Sequence, residues 1–266
     1  MAKWLRIFHG LGCRDVILQW AVHDGAPVLS GPEFSGMLDT AAQLGLRVTI
    51  GLPYQSGYWT VLSEGDRTVR TAFLEHALEQ GKAFIEACAE RRHPAVSGFY
   101  VPYEIDQHSW AAAPDRRLLA GFLAKLADAA GAQAPLAVST FHSELPAETD
   151  LAHLWDGLLG KAPVRPMVQD GAGKMGVSNY AHLDSLFVLL SARGQPFDVV
   201  VELFTHRIEG EENVFSAAGL PRIRKQLTAA AQSGAERLIG FAIYPYMDDT
   251  NPAGRELHRA YGKAIG

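Results

Sequence analysis

One unit recurs through this sequence: a helical stretch, a short turn, then a β-branched or aromatic run that ends in polar residues. The runs are Asp15–Trp20, Leu46–Gly51, Val96–Val101, Leu136–Phe141, Val164–Gln169, Asp198–Phe204 and Leu238–Tyr244. Most are nearly continuous in apolar residues rather than alternating, the pattern of strands covered on both faces in a helix-clad parallel sheet. The helix candidates are Lys3–Leu11, Glu33–Leu44, Arg67–Arg91, Asp115–Ala130, Asp150–Leu159, Ser178–Ala192, Leu220–Ser233 and Arg255–Ile265. Gly45, Gly131, Gly194 and Gly234 each follow a helical run, where a residue of positive φ commonly ends a helix. Pro114 stands just before Asp115 at a helix start, and Ser178 is expected to accept the first free amides of its own helix.

Helix and strand in alternation predict right-handed βαβ crossovers and a parallel sheet. The expected fold class is α/β, a (β/α)8 TIM-type barrel in one domain over residues 1–266, since such a barrel takes about 250 residues. Seven strands are predicted, and the chain opens on a helix, so the barrel is expected to be incomplete at its N-terminus. Two explanations stay open: a first strand upstream, or a gap in the barrel wall. A gap would leave sheet edges that proteins normally close or cover, and an open edge offers a route to a homo-oligomer. A doubly wound sheet is the rival architecture. Gly171-Ala172-Gly173-Lys174 follows a strand but lacks the spacing of a nucleotide loop.

Composition narrows the function classes. The net charge of −5 offers nothing general to a phosphate backbone, so nucleic acid is not an expected partner, and Arg91-Arg92-His93 reads as solvated surface. Cys13 and Cys88 are too few and too far apart for a metal knuckle or a redox pair, and they read as small buried thiols. No run approaches the 18 apolar residues of a transmembrane segment. The amino end lacks a secretory h-region and cleavage site, which predicts a cytoplasmic protein as the sequence stands and an exported or periplasmic one if an upstream segment is missing.

In a barrel of this kind chemistry sits where strands run out into βα loops. Those positions hold Gln19, Trp20, Tyr54, Tyr100, Tyr103, Glu104, His142, Gln169, Asp170, Glu202, His206 and Tyr244. Glu104 follows the apolar run Gly98–Tyr103, and burial at a barrel mouth would raise its pKa toward that of a proton donor. Glu202 lies inside Val199-Val200-Val201-Glu202-Leu203-Phe204, so its carboxylate must find a polar pocket or a strong partner. Two such carboxylates can flank a glycosidic bond, about 5–5.5 Å apart for a covalent intermediate or about 6.5–9.5 Å apart to admit water. Asp170 is the third candidate catalytic carboxylate, able to tune the pair, bind hydroxyls or replace either glutamate; a turn-forming aspartate before glycine is its structural reading. The tyrosines, with Trp59, Trp110 and Tyr246, supply flat apolar faces with polar edges that suit a sugar. Trp59 and Trp110 read as loop residues rather than core.

At these residues the sequence resembles a bacterial TIM-barrel family catalogued as domain of unknown function 4434, whose members look like glycoside hydrolases. The resemblance rests on VILQW at Val16–Trp20, GFYVPYEID at Gly98–Asp106, QDGAG at Gln169–Gly173 and VELF at Val201–Phe204. It implies site residues at Gln19, Glu104, Asp170 and Glu202, and a strand before the amino-terminal helix. Retaining-glycosidase barrels resemble this chain in carrying carboxylates after strands four and seven, the places of Glu104 and Glu202. They usually carry asparagine before the acid/base, where Tyr103 stands here.

The expected function is therefore glycoside hydrolase-like cleavage of an oligo- or polysaccharide by paired carboxylates, with no cofactor. A carbohydrate-binding or polysaccharide-assembly protein without catalysis is one alternative. A metal-dependent sugar isomerase or lyase is another, although no compact ligand motif is present and its site would have to assemble across strands.

Overall fold

The computed structural model describes residues 1–132, 134–210, 212–248 and 252–265. In chain order the strands are β1 (Asp15–Leu18), β2 (Val22–His23), β3 (Ala26–Pro27), β4 (Arg47–Gly51), β5 (Val96–Ile105), β6 (Leu136–Thr140), β7 (Val164–Gln169), β8 (Asp198–Glu202), β9 (Phe204–Glu209), β10 (Glu212–Ala217) and β11 (Arg237–Phe241). The helices are α1 (Ala2–Gly10), α2 (Gly31–Gln43), α3 (Tyr58–Glu64), α4 (Arg67–Ala87), α5 (Ala113–Ala130), α6 (Leu151–Leu159), α7 (Ala172–Met175), α8 (Tyr180–Ala192), α9 (Leu220–Gln232), α10 (Ile243–Tyr246) and α11 (Pro252–Ile265).

Seven strands form one parallel sheet in the order β1-β4-β5-β6-β7-β8-β11. That order, with helices between the strands, is a (β/α)8 TIM-type barrel short of one strand. Each of the seven predicted strands is present, with ends shifted by a few residues. Two antiparallel ribbons were not anticipated: β2–β3 directly after β1, and β9–β10 directly after β8. The chain divides into two compact units. One comprises Met1–Ser139 and Leu145–Arg165; the other comprises Thr140–Glu144 and the residues from Pro166 onward.

In the first unit β1 pairs with β4 and β4 with β5, all parallel. Their apolar runs place Val48, Ile50 and Phe99 wholly inside, and Leu38 of α2 and Leu123 of α5 are equally buried. Ser30 and Glu33 close a capping box at the start of α2, and Asp66 accepts the N–H groups of Thr68 and Val69 at the start of α4. Trp110 is a correction to the sequence reading: it is fully buried, with the Arg70 guanidinium 5.2 Å from its ring centroid. Arg70 is itself buried and paired with Asp115 at 3.3 Å, so a cation held beneath the loop draws the indole inward.

In the second unit β7 pairs with β8 and β8 with β11. Asp198 and Arg237 are register partners at the start of β8 and β11, joined by a two-pronged ion pair at 2.6 and 3.0 Å. Val199 and Val201 of β8, Leu183, Leu186 and Leu190 of α8 and Ile223 of α9 are all buried. Gly45, Gly131, Gly194 and Gly234 all take positive φ, as expected of helix stops. Ser178 does not cap its helix; its hydroxyl donates to the Met175 carbonyl at 3.3 Å, because α8 begins two residues later. Among the described residues, no helix is long and apolar enough to cross a membrane.

Candidate active site

The candidate residues fall into two groups, one in each unit. In the first, the chain leaving β1 turns through β2–β3 and lies against the loop that follows β4. Tyr54 donates its N–H to the Val22 carbonyl, and Asp24 accepts the N–H of Ser56 at 2.8 Å. This brings Trp20 parallel to Tyr54, ring centroids 5.2 Å apart and planes 16° apart, with His23 set edge-on to Trp20 at 4.8 Å. Gln19 is exposed beside them.

Behind that pair the rings go into the core. Tyr103 contacts Tyr54, Tyr58 and Phe73 at 5.1–5.7 Å, and its hydroxyl donates to the Pro53 carbonyl. Tyr100 is also buried, with its hydroxyl 2.7 Å from that of Ser139. Glu104 is the next-to-last residue of β5 and is partly exposed. Its backbone carbonyl accepts the Tyr58 hydroxyl at 2.5 Å, which fixes the strand end that carries it. Burial pushes the Tyr54 and Tyr100 hydroxyls above their usual pKa, and the neighbouring Glu104 charge adds to both. Asp106 accepts the N–H groups of His108 and Ser109 and so holds the turn beyond.

The second group is built around QDGAG. Asp170 is completely buried, and four donors converge on its carboxylate. Oδ1 accepts the N–H of Ala172 at 3.0 Å and of Glu202 at 3.3 Å; Oδ2 accepts Gln226 Nε2 at 2.7 Å and the Tyr180 hydroxyl at 3.2 Å. Burial raises the Asp170 pKa, and these hydrogen bonds oppose the rise without cancelling it. Asn179 Nδ2 donates to the Asp170 carbonyl at 2.8 Å. Gly171, at φ 62°, turns the chain so sharply that a Cβ there would stand 2.4 Å from Asn179 Nδ2. The turn delivers the N–H of Gly173 to Glu202 Oε2 at 2.7 Å.

Glu202 ends β8 with about 8% of its surface exposed. Arg222 gathers the backbone around it, donating to the carbonyls of Ala172, Glu202 and Phe204. Gln226 adds a second bond to the Glu202 carbonyl at 3.1 Å. Both donors lie on α9 four residues apart and therefore share a face. Gln169 is half-buried at the end of β7.

His142 stacks on His182 of α8 at 4.5 Å with planes 3° apart, and burial followed by the His182 charge lowers its pKa. Glu144 beside it pairs with Lys174 of α7. His206 lies on β9, where it meets Asn213 Oδ1 at 2.7 Å and stacks on Phe215 at 4.8 Å. Tyr244 is 58% exposed. Among the described residues, no group of three or more His, Cys, Asp or Glu side chains is disposed to share a metal ion.

Sequence reasoning did not single out Arg222, Gln226, Tyr180, Asn179, His23, His182 or Phe215. A sequence signal existed for the α9 pair: two polar residues at helical spacing flank Ile223, on the face that also carries buried Ala230.

A family model described as "Domain of unknown function (DUF4434)" matches residues 2–254. No curated protein matches the sequence. Among solved structures, a provisionally assigned alpha-L-fucosidase from Bacteroides thetaiotaomicron VPI-5482 aligns with a TM-score of 0.71 at 16% identity, over 98% of this chain and 85% of its own. A glycoside hydrolase family 5 enzyme from Prevotella bryantii B14 aligns at 0.60 and 16% identity, over 100% and 86%. Cellulose synthase subunit Z from Clostridioides difficile aligns at 0.56 and 10% identity, over 98% and 91%. At these identities the likeness is one of fold: the chain is built like glycoside hydrolase barrels.

Proposed function

The chain belongs to the DUF4434 family, and from that premise we propose that it is a glycoside hydrolase acting on an oligo- or polysaccharide through Glu104 and Glu202. The observation that carries this reading is the setting of Glu202, a nearly enclosed carboxylate at a strand end, whose Oε2 accepts the Gly173 N–H and whose own N–H donates to the fully buried Asp170. Leaving a carboxylate in a dry setting costs several kcal/mol unless it has partners. Here a buried aspartate, three α8–α9 side chains and two glycines are committed to fixing its backbone and its Oε2, which is the preorganisation a nucleophile or water-activating base requires.

In this reading Glu104 is the general acid/base and Glu202 the nucleophile or base. Asp170 is a positioning residue that acts through the Glu202 backbone. Trp20 and Tyr54 offer the ring face for the sugar, with Gln19 at their border, and Tyr100 and Tyr103 support them from beneath. Gln169, His142, His206 and Tyr244 supply polar edges around the second carboxylate. The fold likeness to glycoside hydrolase structures supports the same reading.

Release of reducing ends from carboxymethylcellulose, xylan, galactomannan and arabinan tests it. E104Q and E202Q should remain folded and each lose about 10²–10⁴-fold in turnover. Turnover unchanged in both variants overturns the assignment. Binding of a glycan without any release by the wild type instead identifies a carbohydrate-binding protein.

A further inference from the structure

The β9–β10 ribbon leaves β8 immediately beyond Glu202, and its two faces differ in chemistry. The register pairs Ala217 with Phe204, Phe215 with His206 and Asn213 with Ile208 on one face. The other face pairs Ser216 with Thr205, Val214 with Arg207 and Glu212 with Glu209. The first face therefore carries Phe204, Ala217, Phe215 and Ile208 around one polar pair, His206 and Asn213, yet Phe215 is 50% exposed and Ile208 69%. A two-stranded ribbon gains little stability from an exposed apolar face, so the pattern needs another explanation.

The face also has internal order. The imidazole of His206 lies on the Phe215 ring at 4.8 Å with planes 24° apart, and its Nε2 meets Asn213 Oδ1 at 2.7 Å. If that oxygen accepts, the Asn213 amide N–H groups point away from the histidine at the border of the ring. At the base, Phe204 meets Phe215, Phe241 and Tyr246 at 5.4–6.4 Å. A Cβ built on Gly173 would touch both the Phe204 ring, at 2.5 Å, and Glu202 Oε2, at 2.7 Å. The aromatic track is thus continuous with the candidate carboxylate.

We propose that this ribbon face is a sugar-binding subsite, with Phe215 as its stacking platform and Asn213 as its polar edge, which holds the part of a polymeric glycan lying beyond the residue at Glu202. The proposal rests on the reading of Glu202 as a glycan-cleaving group and adds the substrate class: an extended chain rather than a single terminal sugar. A flat ring face with an amide at its border matches the C–H faces and hydroxyl edges of a pyranose, whereas a purely apolar partner would offer no acceptor to the outward N–H groups of Asn213.

Electrophoresis through native gels that contain carboxymethylcellulose, xylan, galactomannan or arabinan tests the subsite. Wild type, E202Q, F215A, F215W and the control V188S, which removes an exposed valine on α8, are run beside the reducing-end assay. The proposal expects at least one polysaccharide to retard wild type, E202Q and V188S alike. F215A should bind it about fivefold more weakly, and F215W should restore retardation. Equal retardation of F215A and wild type overturns the ribbon subsite and leaves the glycosidase reading standing. Absence of retardation with Glu202-dependent hydrolysis present also overturns the subsite alone. Absence of both overturns the two together.

Discussion

The backbone N–H of Gly173 lies 2.7 Å from Glu202 Oε2, and a methyl group on that same glycine would have to occupy the space of the oxygen and of the Phe204 ring. A single residue without a side chain therefore sets how closely the QDGAG turn approaches the end of β8. G173A should cost about 1–3 kcal/mol of stability through overpacking. It should also lower glycan turnover well beyond that cost, because the carboxylate is pushed off its donor. Urea unfolding and the reducing-end assay measure the two effects. A variant with normal stability and normal turnover would show that this contact does not matter.

Asp170 makes a second prediction, on pH. Its four donors occupy both oxygens, so asparagine must turn its NH2 toward either the Gln226 and Tyr180 side or the Ala172 and Glu202 amides. D170N should lose about 1–3 kcal/mol for the donors left unmatched. Burial raises the folded-state pKa of Asp170 above its ordinary value of 3.8. The folded state then holds the proton more tightly than the unfolded chain does. The linked stabilisation is complete below pH 3.8 and is lost as pH rises through the elevated folded value. The stability difference between wild type and D170N should accordingly be largest in acid and narrow as pH rises. Urea midpoints for both proteins from pH 3.5 to 8 check the sign; a difference that widens with pH contradicts it.

The frame was legible in the sequence because buried parallel strands leave continuous apolar runs, and Val199-Val200-Val201-Glu202 reads as a strand interrupted by one carboxylate. The use made of that carboxylate was not legible in the same way. Gly171 and Gly173 resemble a weak phosphate loop on paper; their reason is tertiary, namely Asn179, Phe204 and Glu202 brought close from elsewhere in the chain. Trp110 in a polar stretch looked like surface, since nothing local announces that buried Arg70 lies beneath its ring. The β9–β10 ribbon is not legible because its apolar residues, Phe204, Ile208, Val214, Phe215 and Ala217, are scattered among polar ones over two six-residue strands, too short a span for a two-residue period to stand out.

Asp198 and Arg237 govern the register on which this geometry depends. They are directly opposite at the start of β8 and β11, and the aspartate is wholly buried. Removing the arginine leaves a buried carboxylate without its two-pronged partner, a change that costs about 3–5 kcal/mol in comparable pairs. The lower end applies, because the Arg237 side chain is about one quarter exposed and water can replace part of it. R237A should show this loss in urea unfolding, and R237K should recover only part of it, having no second prong. A cost below about 0.5 kcal/mol would reduce the pair to an ordinary surface ion pair.

Trp20 and Tyr54 allow the substrate side of the first unit to be examined apart from its chemistry. Their rings are nearly parallel, Trp20 is partly exposed, and neither is a proton carrier in the proposed reaction. W20A therefore removes ring face and leaves Glu104 and its Tyr58 anchor in place. If Trp20 holds the sugar, KM should rise about tenfold, the equivalent of about 1.4 kcal/mol, while kcat changes little. W20F should restore most of the affinity, since it returns a flat face. If instead kcat falls and KM does not move, the indole helps to build the reacting geometry. An unchanged kcat/KM would remove Trp20 from the binding surface and place the sugar elsewhere along the strand ends.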